Sequence, residues 1–190
     1  MNFTSPARPY FMSFYISLII LVLLLLWLIR IYNRFVQLKN QVDAAWSDIS
    51  VQLKRRHDLI PKLVDMVRQY ARYEETLLER ITTLRSEGKK LDAMSQPDLV
   101  KSSEIEKNLS EQLNRLVILA EDYPDLKASQ HFMALQKELS LIEDTISHAR
   151  RFYNGAVRLL NTRIDTFPDL VIARLFHFNY RQYFQLDIDT

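Results

Sequence analysis

The stretch that decides the fold runs from Pro9 to Ile60, PYFMSFYISLIILVLLLLWLIRIYNRFVQLKNQVDAAWSDISVQLKRRHDLI, and after Pro9 it contains neither glycine nor proline. Its first part, Pro9 to Ile29, has no charged side chain. These 21 positions make a helix of about 31 Å, enough to cross a hydrocarbon core of about 30 Å. The second part places Ile31, Phe35, Leu38, Val42, Ala45 and Ile49 at steps of four and three, the seam of a helix packed against other helices. A membrane-length run thus passes without a break into a heptad. Its length, its flanks and this continuation favour an uncleaved anchor over a signal peptide. A core helix of a soluble protein would not be apolar all round.

Composition agrees with an all-α chain. The 190 residues hold two glycines, six prolines and no cysteine. Two glycines are too few for a hairpin-rich β fold, and a chain without thiols builds neither a disulfide scaffold nor a thiolate metal site. A net charge of +2 lacks the basic footprint of a nucleic-acid binder. The expected organisation is a tail at 1–9, a transmembrane helix at 10–30, a long-helix bundle at 31–168 and an aromatic segment at 169–190. Arg8 precedes the span, while Arg30, Arg34 and Lys39 follow it. The positive-inside bias puts the large domain in the cytoplasm, on the inner membrane of a cell.

Beyond the span the pattern predicts four helices. The first runs to about His57 and breaks at Asp58-Leu59-Ile60-Pro61, since the residue before a proline avoids the helical region. The second carries Leu63, Val64, Val67, Leu78, Ile81 and Leu84 and stops near Gly88. A polar linker spans Glu87 to Pro97. The third begins near Pro97-Asp98 and ends at Ala120-Glu121-Asp122-Tyr123-Pro124-Asp125-Leu126-Lys127. The fourth, with Ser129 as N-cap, shows Phe132, Leu135, Leu139, Ile142, Ile146, Ala149, Tyr153, Ala156 and Leu160, a strict three-four alternation ended by Pro168.

Several strings occur in order along the chain: Asp43-Ala44-Ala45-Trp46-Ser47-Asp48-Ile49, then Lys54-Arg55-Arg56, Asp58-Leu59-Ile60-Pro61, Ala120-Glu121-Asp122-Tyr123-Pro124-Asp125-Leu126-Lys127, Ala149-Arg150-Arg151-Phe152-Tyr153-Asn154 and Asn161-Thr162 to Phe167-Pro168. Together they resemble the LemA family from the span to Phe184. Ser50 stands where that pattern usually has Asp, Lys62 where it has Asn, and His177 where it has Gly. The resemblance implies a single-pass membrane protein with an up-and-down bundle of long helices and no established enzymatic activity. It also suggests association with membrane proteolysis or envelope organisation, with a membrane metalloprotease as one partner.

An up-and-down order makes a geometric prediction. Arg30 to His57 is 27 residues, roughly 40 Å of helix. The cluster Lys54, Arg55, Arg56, His57 and Asp58 is therefore expected at the end far from the bilayer, beside Glu121, Asp122, Tyr123 and Asp125. These charges either pair and close the bundle or form a docking surface for another protein. The last helix returns to the membrane, so Arg174, Phe176, Phe178, Tyr180, Arg181, Tyr183 and Phe184 form a candidate interfacial segment. The alternative is that these rings fold back beneath the loop between the second and third helices and complete the core.

Catalytic chemistry has little to build on. A di-iron bundle needs two Glu-x-x-His pairs, but Lys54, Ala128, Thr145 and Arg174 stand three before the four histidines. Asp144 and His148 lie off the seam and read as solvated. No phosphate loop or zincin motif occurs. No cofactor or metal is expected. Gly155 is expected to admit a neighbouring helix or Trp46, with Asn154 satisfying a buried group. The functional expectation is a non-enzymatic anchored scaffold that self-associates as a homo-oligomer or docks partners at the lipid bilayer. A membrane-remodelling role for the aromatic segment is the alternative.

Overall fold

The computed structural model describes residues 8–71, 74–92 and 98–184, with side chains from Met12 onward. The N-terminal tail as far as residue 7, the 93–97 part of the expected linker and the end of the aromatic segment at 185–190 lie outside these. The described residues form helices α1 (Arg8–Tyr70), α2 (Glu75–Asp92), α3 (Leu99–Leu119), α4 (Pro124–Lys127), α5 (Gln130–Asp165) and α6 (Asp169–Leu175), with a 3-10 turn at Ala120–Asp122. They contain no strand.

The predicted break at Pro61 does not occur: α1 continues through it to Tyr70. Proline has no N–H, so the carbonyl of His57, four residues back, loses its intrahelical donor. Arg85 of α2 replaces it, donating from Nε to His57 O at 2.6 Å. The burial pattern shows the same continuity. Ile49, Leu53, Arg56, Ile60, Leu63 and Val67 are all buried, extending the four-three seam past the proline to Ala71. Gly88 likewise does not stop α2, which runs on to Asp92.

Two compact units share α1 and α5. In the first (Met1–Gln41 with Leu159–Tyr180), the described part of the apolar run of α1 is exposed. From Met12 to Ile29 its side chains are exposed, apart from a half-buried Leu28. This helix is long and apolar enough to cross a membrane. Beyond it Ile31, Phe35 and Leu38 are buried, as are Leu160, Ile164 and Ile172. Phe178 stacks on Phe35 with ring centroids 4.8 Å apart, and Phe176 lies 4.9 Å from Tyr32. The backbone turns into this contact at the end of α6. Phe178 N donates to Ala173 O and His177 N to Arg174 O, a Schellman closure with His177 in the left-handed position at φ 56°.

In the second unit (Val42–Arg158 with Arg181–Thr190), the later part of α1 packs with α2, α3 and the first part of α5. Short connections make successive helices antiparallel. Asp98 caps α3, accepting from Val100 N and Lys101 N. Ser129 Oγ accepts from Phe132 N at the start of α5.

Candidate functional site

Two seam positions in this second unit carry opposite charges. Arg56 sits on α1 between Leu53 and Ile60, and Glu106 on α3 precedes Leu109, Leu113 and Leu116 at steps of three and four. Both side chains are buried, at 1% and 4% exposure. An arginine is almost never fully buried unless paired, and here both terminal nitrogens are paired, while the buried Nε has no hydrogen-bond partner. Nη2 pairs with Glu106 Oε2, while Nη1 donates to Glu143 Oε1 and to Ser110 Oγ, each at 2.7 Å. Ser110 Oγ in turn donates to Glu143 Oε2 at 3.0 Å. One α1 residue thereby ties α1, α3 and α5 together.

His57 extends the network to α2. Its Nε2 lies 3.0 Å from Glu106 Oε1. Its Nδ1 lies 3.4 Å from Asp92 Oδ2, without hydrogen-bond alignment. The imidazole is thus held between two carboxylates while its backbone carbonyl receives Arg85. Gly88 makes room for it: a Cβ there would fall 2.7 Å from Glu106 Oε1 and 2.9 Å from His57 Nε2.

The electrostatics are those of a closed ion cluster. Burial pulls the Arg56 guanidinium down, but Glu106 and Glu143 outweigh it and leave Arg56 more firmly protonated than usual. Burial pushes Glu106 up, and the hydrogen bond from His57 with the Arg56 charge brings it below the ordinary carboxylate range. Asp92 goes the other way. Burial and the Glu106 charge hold it above the usual value, against the opposing pull of His57 and Arg56. Arg150 is lowered by burial and by repulsion from Arg56.

His57, Asp92 and Glu106 bring one ligand-type atom each within 4.8 Å of one another. A divalent cation among them would compete with the Arg56 guanidinium for Glu106, so the set reads as an ion-pair network rather than a metal centre.

Not all of the residues expected to form a docking surface lie at the molecular surface. Arg56 is not on it, because the seam places that residue in the core. Nor does the basic cluster neighbour the acidic turn. Arg56 meets Glu106 early in α3, and Glu121 follows 15 residues later, roughly 20 Å along the axis at helical rise. Glu121 pairs instead with Lys127 at 3.8 Å, both exposed. Asp122 and Asp125 are exposed, Tyr123 is half-buried, and Ala120 and Leu126 are buried. Lys54, Arg55 and Asp58 are exposed, with Asp58 3.6 Å from Lys89. Arg55 and Asp58 line an open groove between α1 and α5 with Lys62, Glu138 and Leu141.

The aromatic segment folds back on the helices. Phe184, expected at the membrane interface, is 1% exposed, with its ring centroid 5.7 Å from that of Trp46. Asn154 holds its backbone from both sides, Nδ2 to Phe184 O at 3.1 Å and Phe184 N to Oδ1 at 2.9 Å. Tyr153 donates to Gln182 O, and Arg181 pairs with Asp43, each at 2.9 Å. These contacts lie along α1 and α5, not beneath a loop between α2 and α3. Phe178 is half-buried, while Arg174, Phe176, Tyr180 and Tyr183 keep exposed side chains. A Cβ on Gly155 would meet nothing within 4 Å, so that glycine admits no neighbour.

The model of the family described as the LemA family matches residues 45–190. This chain belongs to the LemA family. Its relatives include protein LemA of Metamycoplasma hominis, 30% identical over 142 residues. That match takes in 75% of this chain but only 63% of the relative's length. Magnetosome protein MamQ 2 of Paramagnetospirillum magneticum is 26% identical over 90% of this chain and 70% of its own. Magnetosome protein MamQ of Magnetospirillum gryphiswaldense is 25% identical over 95% of this chain and 75% of its own. In this LemA-family chain the Lys54-Arg55-Arg56-His57 motif divides its residues. Arg56 and His57 build the core, and Lys54 and Arg55 face solvent.

Proposed function

We propose that this chain is a non-enzymatic, single-pass scaffold: an α-helical bundle anchored in the membrane through the start of α1, associating with copies of itself or with a membrane protein. The observation that carries the reading is the single 63-residue helix α1. It has an exposed apolar run long enough for a bilayer, and further along it is pinned to three other helices by the buried Arg56 and His57 network. The buried charged groups of the second unit engage one another, Arg56 with Glu106 and Glu143 and His57 with Glu106. Arg30, Arg34 and Lys39 after the span support a cytoplasmic bundle by the positive-inside bias. The groove at Arg55, Asp58, Lys62, Glu138 and Leu141 combines both charge signs with an exposed leucine, the composition of an interface rim around an apolar contact. A membrane metalloprotease is the partner class that the family suggests.

The test is the size and content of the particle extracted in mild detergent, compared with an Arg55→Glu/Lys62→Glu variant. The scaffold reading expects an oligomer or a copurifying membrane protein that the variant loses. Monomers without partners contradict it.

A further inference from the structure

The first unit contains a recess of about 940 Å³ beside the end of the apolar run. Its walls are of two kinds. Leu26 and Trp27 belong to the run itself, and Trp27 is 43% exposed. Arg30 and Arg34 from the next turns of α1, with Arg163 near the end of α5 and Asp169 at the start of α6, supply the charged wall. Asp169 pairs with Arg163, so the recess keeps a net charge of about two positive units from Arg30 and Arg34. The corner joining α5 to α6 carries a second, independent sign of contact with lipid. Phe167, Val171 and Leu175 are 79%, 56% and 65% exposed, an apolar patch that water does not favour.

We infer that this recess is a binding site for one anionic phospholipid, with its phosphate at Arg30 and Arg34 and an acyl chain against Leu26 and Trp27. The inference rests on the start of α1 being a membrane anchor. The mixed wall selects the ligand. Arginine forks match a phosphate in two-point geometry, and a basic pocket at the end of a span is where an anionic headgroup is recognised. A free phosphate would use the arginines but leave the apolar wall uncovered. A second copy's apolar helix would cover that wall but leave the arginines unpaired. Phe167, Val171 and Leu175 then sit at the headgroup boundary, as interfacial apolar side chains do.

Trp27 lies in the wall and supplies the probe. The full chain carrying Trp46→Phe, in which Trp27 is the remaining tryptophan of two, is reconstituted in phosphatidylcholine vesicles. Quenching is compared between brominated phosphatidylglycerol and brominated phosphatidylcholine at equal mole fraction. The expected result is a preference for the anionic lipid of roughly fivefold or more, since each arginine near such a headgroup contributes about that factor. Arg30→Gln/Arg34→Gln abolishes the preference. Lys39→Gln, which removes an exposed charge outside the recess, retains it, and millimolar inorganic phosphate does not compete. Equal quenching by the two lipids overturns the site while leaving the anchor intact, and it is also what a helix from a second copy filling the recess would give. Loss of preference in Lys39→Gln reduces the effect to general surface charge, and competition by phosphate reassigns the ligand; each overturns the proposal. No quenching by either lipid removes the anchor reading itself.

Discussion

Arg85 donates its Nε hydrogen to the main-chain carbonyl of His57 at 2.6 Å, the carbonyl that Pro61 leaves without a partner. A side chain from α2 thus repairs a hydrogen bond missing from α1, and α1 remains one helix across a residue that ordinarily ends one. Arg85→Ala leaves the carbonyl unsatisfied in a half-buried setting, at a cost of about 1 to 3 kcal/mol. In a Pro61→Ala background the restored N–H takes over, so the cost of Arg85→Ala shrinks by about 1 kcal/mol or more. Thermal unfolding of the four detergent-solubilised proteins, followed by circular dichroism, measures the coupling. Additive effects would show that the repair is not needed.

The two glycines have opposite roles. Gly88→Ala gains about 1 kcal/mol of helix propensity but drives a methyl group into the buried Glu106 and His57 side chains, which are pinned by Arg56 and Asp92. Overpacking costs typically about 1 to 3 kcal/mol, so the net change is destabilising. Gly155→Ala meets nothing within 4 Å and keeps the gain, a stabilisation of about 0.5 to 1 kcal/mol. The same unfolding measurement reads both signs.

Glu106 sets the acid limb. Its pKa is lower in the folded protein than in the unfolded chain, so its contribution is complete above the unfolded value and fades as pH falls through the lower folded value. Glu106→Gln therefore destabilises most near neutral pH, and the gap from the unsubstituted protein narrows below about pH 4. Asp92 is raised and has the opposite sign: its ionisation opposes folding, so Asp92→Asn is neutral or stabilising at pH 7. Urea midpoints from pH 3 to 7 check both. A gap for Glu106→Gln that does not change with pH contradicts the assignment.

His177 occupies a left-handed position at φ 56° where glycine has no Cβ penalty. His177→Gly should stabilise the α6 closure by about 1 kcal/mol, seen as a higher unfolding midpoint and slower proteolysis of the aromatic segment. A lower midpoint would mean that the imidazole makes a compensating contact.

Much of this fold is legible in the sequence. The apolar run, the four-three seam, the start of α3 near Asp98, the Ser129 cap and the all-α class all follow from spacing and composition. Pro61 misleads because its local rule is sound, and the donor that overrides it, Arg85, lies 24 residues away, beyond any window of periodicity. Arg56 misleads for another reason. Three basic residues and a histidine in a row read as an exposed charge run, yet the seam Ile49, Leu53, Arg56, Ile60, Leu63 puts Arg56 inside with His57 beside it, and Ser102, Glu106, Leu109, Leu113 repeats the slot with the opposite sign on α3. Two opposite charges in seam positions of different helices was the available signal. The partnership of Phe184 with Trp46 and Asn154 carried none, because it joins residues 138 and 30 positions apart, beyond any window of periodicity.

The most direct test of the scaffold is the mass of the full chain in nanodiscs of native lipid, read by mass photometry together with the identity of whatever copurifies. The account predicts a mass at least twice the 22.6 kDa protomer after the disc is subtracted, or a stoichiometric membrane-protein partner. The Arg55→Glu/Lys62→Glu variant should fall back to one protomer while remaining helical. A bare protomer in the discs, unchanged by that variant, would contradict it.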